Sequence, residues 1–339
     1  MLTALWAILI FCLLIFVHEF GHFIVAKLCK MTVHEFSIGM GPKLFGFGKK
    51  STKYNVRLLP LGGYVALEGE DSKSEDVNAF SNKSIFKRFC VLFAGAFMNI
   101  ILGFLLFVIV YSNVTGVYSN KVSYIEEKSA FYDAGINKGD IITKIEGDNF
   151  STKVHTLRDV RFFLSINGND SAKITYIRNG EKKITSVTPR YNNDSQSYVL
   201  GFSTEKMPTN FVNVIKLSFW ECIFVIKSVF LSLWWLITGV VSPSAMSGPV
   251  AIVGEIQNAA KMGWQSVLNL GAFISVNLGV MNLLPIPALD GGRILFLLIE
   301  KIRGKKLTGD KEATINFVFF VILISLMILV TFSDISKLF

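Results

Sequence analysis

The chain has 339 residues, of which 51% are hydrophobic and 17% are charged, and its formal net charge is +9. A charged fraction so far below the roughly 25% of soluble proteins argues against a purely soluble protein and predicts membrane segments. Lysine and arginine cluster beside the apolar runs, which favours a role in membrane orientation over nucleic-acid binding. The four cysteines form no CxxC pair, so neither a disulfide framework nor a cysteine metal site is predicted.

The first apolar run, residues 1–30, is long enough for a helix that crosses a hydrocarbon core of roughly 30 Å. It begins without a basic region and contains no small-residue cleavage site, so we expect a retained membrane anchor. Residues 31–82 are polar and glycine-rich with alternating segments, which predicts a cytoplasmic-side β-element of short strands and tight turns. A second spanning run covers residues 85–112.

The composition becomes that of a soluble domain between residues 117 and 206, where short β-rich runs alternate with turn signals. A segment of about 90 residues suits one small domain. Residues 210–262 predict a membrane-associated helical segment, interrupted by charges, and a Pro/Gly/Ser linker over residues 242–254. The helical part is long enough to span the membrane, although its charges favour a helix on the membrane surface.

Two further apolar segments complete the chain: residues 264–292 predict the third transmembrane segment and residues 314–333 the fourth. Residues 293–313 between them predict a basic cytoplasmic loop. Because basic loops stay in the cytoplasm, four crossings satisfy the charge rule and leave the 117–206 domain outside the cell.

The sequence HEFGH at residues 18–22 stands inside the first apolar run. Residues four apart share one face of a helix, so the imidazoles of His18 and His22 can reach one metal ion. Glu19 is offset by about 100°, where a carboxylate can take a proton from water that a metal activates. Each ionisable residue facing lipid costs about 2–3 kcal/mol, which favours a functional site over interfacial residues at a helix end.

Asp290 is the predicted third ligand, since a catalytic zinc ion usually has three. His34 lies beyond the helix end and His155 lies in the soluble segment, so both are poorer candidates. Asp290 follows two prolines in the sequence NLLPIPALDGG, and because proline breaks a helix the carboxylate can turn toward a cavity. The charge-based topology puts it at the same cytoplasmic end as His18. The alternative is a plain turn that caps the next helix.

The HEFGH helix, the NLLPIPALDGG segment, the basic loop and the final span together resemble the site-2 proteases, in particular their RseP/RasP branch. The resemblance covers essentially the whole chain. It implies a membrane α-helical fold of four transmembrane helices, with a membrane-associated β-element and one extracytoplasmic PDZ domain. It also implies a Zn2+ ion held by His18, His22 and Asp290, with Glu19 as general base.

Substrate contacts are implied by the same resemblance. Asn282 and Asn277 are expected to face the substrate or the oxyanion, although a hydrogen bond between helices explains Asn277 equally well. Gly62 and Gly63 resemble the part of the β-element that lies next to the active site. An edge there can pair with an unwound substrate helix, and a plain surface hairpin is the alternative.

Two other segments match the family pattern. Residues 129–147 resemble a bacterial, circularly permuted PDZ domain, which binds extended peptides by strand addition. The Val-Leu-Gly-Phe sequence at 199–202 is a candidate carboxylate loop, and an ordinary closing strand is equally compatible. The small residues within 94–99 predict close packing of the second helix beside the first, while the role of Asn99 stays open.

These features predict an intramembrane zinc endopeptidase of the bacterial cytoplasmic membrane, with its active site toward the cytoplasm. By resemblance, its substrates are single-pass membrane proteins already trimmed by a site-1 protease, such as anti-sigma factors and signal-peptide remnants. Membrane lipid is a further expected partner, and nucleic acid is not expected. The alternative is a non-catalytic membrane adaptor acting through its PDZ domain. A transporter is disfavoured because the chain lacks paired inverted repeats.

Overall fold

A computed structural model describes residues 2–48, 52–70, 74–114, 116–148, 150–240, 248–305 and 309–337. The chain divides into two units, one formed by Met1–Phe107 with Val225–Phe339 and the other by Val108–Phe224. In chain order the helices are α1 Leu2–Leu28, α2 Ile85–Ser112, α3 Ala130–Asp133, α4 Leu157–Asn167, α5 Phe211–Thr238, α6 Pro249–Met262, α7 Trp264–Asn282, α8 Asp290–Arg303 and α9 Gly309–Ser336. The strands are β1 Val33–Phe47, β2 Lys53–Leu67, β3 Val117–Ile125, β4 Ile141–Glu146, β5 Ser151–Lys153, β6 Ala172–Arg178, β7 Glu181–Val187, β8 Arg190–Asn192, β9 Ser197–Val199 and β10 Phe202–Met207.

Three of the described helices are long and apolar enough to cross a membrane, which confirms that the protein has membrane-type helices. The candidate spans are Leu5–Leu28 in α1, Ile85–Ser112 in α2 and Lys311–Ser336 in α9. α7 is not one of them, although the sequence predicts a crossing there. It contacts α1 and α6, and a helix covered by other helices can carry polar residues on its covered faces. The fourth crossing stays a prediction.

The helices of the first unit approach closely at small residues. An added Cβ at Gly21 of α1 would lie 2.5 Å from the carbonyl oxygen of Ala94 in α2, so only glycine allows this separation. On α7, the corresponding atom at Gly279 would lie 2.7 Å from the carbonyl oxygen of Ala96. Small residues let helix backbones meet where lipid supplies no hydrophobic drive. α2 is therefore packed between α1 and α7.

Two segments expected to be irregular are helical. The linker expected over residues 242–254 gives way to α6 at Pro249, because proline has no need of an N–H donor at a helix start; residues 241–247 lie outside the described chain. The basic loop expected over residues 293–313 is replaced up to Arg303 by α8. α8 buries Gly291 and Gly292 and, about one turn later, Phe296 and Leu297. One buried face of this kind is typical of an amphipathic helix.

The β-element of the first unit consists of β1 and β2, each 15 residues long. Residues 36–38 pair on both sides, since Phe36 lies opposite Val65 as well as Tyr54. The 63–67 segment pairs on one side only within the described part of the chain, so it forms an edge of the sheet. Positive φ angles of 84° at Gly39 and 76° at Gly62 allow the strands to turn there.

A cluster of three polar side chains holds the β-element together. Glu35 accepts hydrogen bonds from Arg57 at 2.7 Å and from the Tyr64 hydroxyl at 2.6 Å, and Arg57 donates a third bond of 2.9 Å to Ser37. Burial alone would raise the pKa of Glu35, but the bonds from Tyr64 and Arg57 lower it to about 2. The cluster links the edge segment to residues 33–38, with which it pairs, and to Arg57 of β2 beyond them.

The second unit contains a sheet in the order β10-β3-β4-β6-β7, with β5 paired to β4. Its core is formed by buried apolar residues of the sheet and of the helices against it, among them Phe131, Phe163, Ile145 and Ile174. α4 begins with a capping box between Thr156 and Asp159, which satisfies free N–H groups at the helix start. β10 is the end strand of this sheet. The soluble segment of the sequence is thus a β-rich domain.

We predict that Glu35→Gln loosens the β-element, because Arg57 would lose its charged partner. Hydrogen exchange of residues 33–67 at pH 7 should rise about tenfold, the order expected for a lost bond to a charged group. The lowered pKa means that the stabilisation is complete above pH ~4.3, the usual value for Glu, and is lost as the pH falls toward about 2. The difference between the two proteins should therefore shrink on acidification.

Glu75→Gln is the matched control, since Glu75 is an exposed carboxylate between the β-element and α2. It should exchange like the wild type at every pH. Equal exchange in the Glu35→Gln and Glu75→Gln variants would contradict the role of the cluster.

Candidate metal centre

α1 brings the two histidines of HEFGH to one point. They lie four residues apart on a continuous helix, so both rings project from the same face. The Nε2 atoms of His18 and His22 are 3.2 Å apart, and the ring centroids are 4.8 Å apart. Two ring nitrogens facing each other at this distance can bind the same metal ion.

Asp290 meets these histidines from the start of α8. Its Oδ2 lies 3.2 Å from His18 Nε2 and 3.3 Å from His22 Nε2. The chain turns tightly before it, because an added Cβ at Gly291 would lie 2.1 Å from the carbonyl oxygen of Leu284. The two prolines and the two glycines of NLLPIPALDGG therefore end α7 and restart the chain with the carboxylate pointing to the histidines.

The three facing atoms fit a zinc ion. Their separations of 3.2, 3.2 and 3.3 Å form a nearly equilateral triangle. The centre of a tetrahedron on such a face lies about 2.0 Å from each corner, the usual distance from zinc to imidazole nitrogen or carboxylate oxygen. Asp290 Oδ2 is buried and makes no hydrogen bond to the described residues, which is costly unless a cation satisfies it. Two imidazoles and one carboxylate are a common ligand set of catalytic zinc.

α2 supports the histidines from behind. His22 Nδ1 lies 2.8 Å from the carbonyl oxygen of Val91. A carbonyl only accepts, so Nδ1 carries the proton and Nε2 keeps its lone pair for a metal. One turn further along α2, an added Cβ at Gly95 would lie 2.3 Å from His22 Nε2 and 2.9 Å from His18 Cε1. Only glycine leaves room for both rings.

A cavity of about 190 Å³ opens beside this triad. Its wall includes Glu19, which thus lies next to the histidines, and the edge segment of the β-element from Gly63 to Val65. An added Cβ at Gly63 would lie 3.0 Å from Glu19 Cγ. The backbone of the edge segment therefore lies against the side-chain stem of Glu19, the residue that the sequence predicts as a base.

The remaining predicted residues lie elsewhere. Gly62 does not line the cavity, and its positive φ gives it a turn role in the β-element. Asn277 and Asn282 of α7 are likewise absent from the lining, so their contact with substrate stays a prediction.

Two charged residues of the cavity wall are missing from the sequence-based prediction of the site. Glu70 and Arg293 form an ion pair there. Arg293 lies three residues after Asp290 on α8, the spacing at which side chains share a face, and this was the available signal. Glu70 gave no signal, because it reaches the cavity only through the fold of the β-element.

Comparison with known proteins identifies the family of this chain. Residues 6–326, which include all three facing side chains, match the family described as peptidase family M50. The chain belongs to peptidase family M50. A Clostridium acetobutylicum protein is 43% identical over 97% of this chain and 96% of its own length. The zinc metalloprotease RasP of Shouchella clausii is 33% identical, and the regulator of sigma-W protease RasP of Bacillus subtilis is 29% identical, each over 99% of both chains.

A solved PDZ domain of an SdrC-like protein from Listeria monocytogenes matches 27% of this M50 peptidase and 90% of the solved chain, with 17% identity and a TM-score of 0.21. That value is too low to bear on the fold.

We predict that Gly95→Ala weakens zinc binding by at least about tenfold, the lower end of the effects seen for residues behind metal ligands. The added methyl group would displace an imidazole ring. Zinc retained by the purified protein against a chelator is the measurement.

Gly254→Ala is the matched control, because Gly254 lies in helix α6 with no atom within 4 Å of an added Cβ. It should keep wild-type zinc affinity. Full zinc retention by Gly95→Ala would show that the rings have more room than the structure gives them.

Proposed function

We propose that this M50 peptidase is an intramembrane zinc endopeptidase, with zinc held by His18, His22 and Asp290. The observation that carries the proposal is the convergence of these three side chains within a helix cluster of membrane type. Ionisable groups inside a membrane cost free energy unless they pair with one another or serve a functional site. Relatives that are named zinc metalloproteases and are aligned over nearly their whole length support the choice of metal.

Glu19 is the proposed general base. A zinc ion at the triad would polarise the scissile carbonyl and supply an activated water. Glu19 lines the same cavity without belonging to the triad, so its carboxylate is free to accept a proton from the attacking water. The same carboxyl group then delivers this proton to the leaving amine nitrogen. Peptide hydrolysis thereby needs one carboxylate in two successive roles.

The edge segment 63–67 is the proposed substrate-binding strand. It pairs on one side only in the described chain and lines the cavity beside Glu19. A peptide added to a sheet edge is held by main-chain hydrogen bonds that tolerate many sequences. A transmembrane helix must unwind before its backbone can be attacked, and pairing at this edge would stabilise the unwound form. Asn277 and Asn282 are kept as proposed contacts to the oxyanion or the substrate.

The β-rich domain is proposed to be the PDZ domain on the extracytoplasmic side. A groove of about 810 Å³ lies between α4 and the segment that precedes and starts β10. Leu157, Val160 and Leu164 line it from α4, while Leu200 and Gly201 line it from the predicted carboxylate loop. An end strand beside a helix is the usual place for strand addition. The groove would bind the extracytoplasmic part of a substrate.

The proposed substrates are single-pass proteins of the bacterial cytoplasmic membrane that a site-1 protease has already trimmed. Anti-sigma factors and remnant signal peptides are the proposed classes. The name of the Bacillus subtilis relative, a regulator of sigma-W protease, supports the first class. Four crossings, with the triad near the cytoplasmic side, complete the proposed topology.

The test of this function is Glu19→Gln, assayed in proteoliposomes on a single-pass substrate with a short ectodomain. We predict a loss of cleavage of about 10²–10⁴-fold, the usual contribution of general acid–base catalysis. Zinc stoichiometry should stay that of the wild type, because Glu19 is not part of the triad.

The exposed Glu127→Gln serves as the control and should cleave normally. Undiminished cleavage by Glu19→Gln would contradict the assigned base. Absence of bound metal and of cleavage in the wild type would instead favour a membrane adaptor.

A further inference from the structure

Asn99 is a fully buried polar residue whose amide faces the ring of His18. It lies on α2 with none of its surface exposed, and its Oδ1 has no hydrogen-bond partner among the described residues. Its Nδ2 lies 3.5 Å from His18 Nδ1. Its own backbone carbonyl accepts a 2.7 Å bond from the Ser275 hydroxyl of α7.

The amide oxygen of Asn99 can accept a hydrogen bond, and Nδ1 of His18 can donate one. If His18 Nε2 gives its lone pair to a metal, the neutral ring carries its proton on Nδ1 and needs an acceptor there. The two ends of an amide have nearly the same shape, so a half-turn exchanges oxygen and nitrogen. After that turn Asn99 Oδ1 faces Nδ1–H and accepts a hydrogen bond from it. Without the turn, the amide N–H of Asn99 and the ring N–H of His18 would be two donors facing each other in a buried site, which is costly.

The position of Asn99 on α2 repeats the arrangement at the other histidine. Val91, Gly95 and Asn99 are successive residues of one helix face, each four residues from the next. Val91 contacts His22 Nδ1, Gly95 leaves room for both rings, and Asn99 reaches His18 Nδ1. One face of α2 thus contacts both imidazoles.

We propose that Asn99 is a positioning residue that accepts a hydrogen bond from His18 Nδ1–H and so presents His18 Nε2 to zinc. This inference rests on the proposed metal site and adds a determinant of its affinity. Asn99 touches neither substrate nor metal, so it acts through the orientation and tautomer of the ring. Groups of this kind behind a ligating histidine typically change metal affinity by 10–100-fold.

The test compares Asn99→Leu with Asn99→Asp in the full-length protein. Leucine has a similar volume but no acceptor, and zinc affinity measured by chelator competition should fall about 10–100-fold. Aspartate keeps an acceptor oxygen at the same place and should stay within about threefold of the wild type. Ser275→Ala removes the neighbouring bond between α2 and α7 without touching the ring, and it should bind zinc normally.

Unfolding of the metal-free proteins separates positioning from packing. A merely structural Asn99 predicts that Asn99→Leu changes the unfolding temperature of the metal-free protein while zinc affinity stays unchanged, and that result would overturn the inference. Equal weakening by Leu and Asp would overturn it as well. If the Leu variant does not fold, an Asn99→Asp variant whose zinc affinity falls by about tenfold or more would overturn the inference by itself. Wild-type protein that binds no zinc would overturn the metal site itself, whereas tight wild-type binding with unchanged Asn99→Leu affinity would overturn this inference alone.

Discussion

The close approach of α1 to α2 is the constraint on which the rest of the first unit depends. Gly21 lets the two backbones meet, and Gly95 leaves the space that the two imidazoles occupy. A wider separation would remove the carbonyl of Val91 from His22 and the amide of Asn99 from His18. The ring nitrogens would then lose the partners that orient them, and Asp290 would face two mobile rings.

The irregular segments are used where the helices alone cannot supply the chemistry. The turn before Asp290 brings a carboxylate to the histidines, and the β-element brings a backbone edge to Glu19. The Glu35–Arg57–Tyr64 cluster ties the edge segment to the rest of the β-element through its side chains. In the proposed function, substrate binding and hydrolysis take place at adjacent walls of one cavity.

Much of this arrangement could be predicted from the sequence, because its signals are local. HEFGH has helical spacing, apolar runs have a membrane length, and prolines mark the turn before Asp290. The roles of Gly95 and Asn99 could not be predicted, because the residues that they face lie about 80 positions earlier in the chain. The helix α8 was predicted as a loop because its charges hide a buried apolar face, and Glu70 reaches the cavity only through tertiary structure.

X-ray absorption at the zinc K edge of the purified protein tests the central claim most directly. The account predicts one zinc ion per chain with two imidazole nitrogens and carboxylate oxygen at about 2.0–2.1 Å. Asp290→Ala should change this first coordination shell and weaken the binding. A wild-type protein without stoichiometric zinc, or a spectrum that Asp290→Ala leaves unchanged, would contradict it.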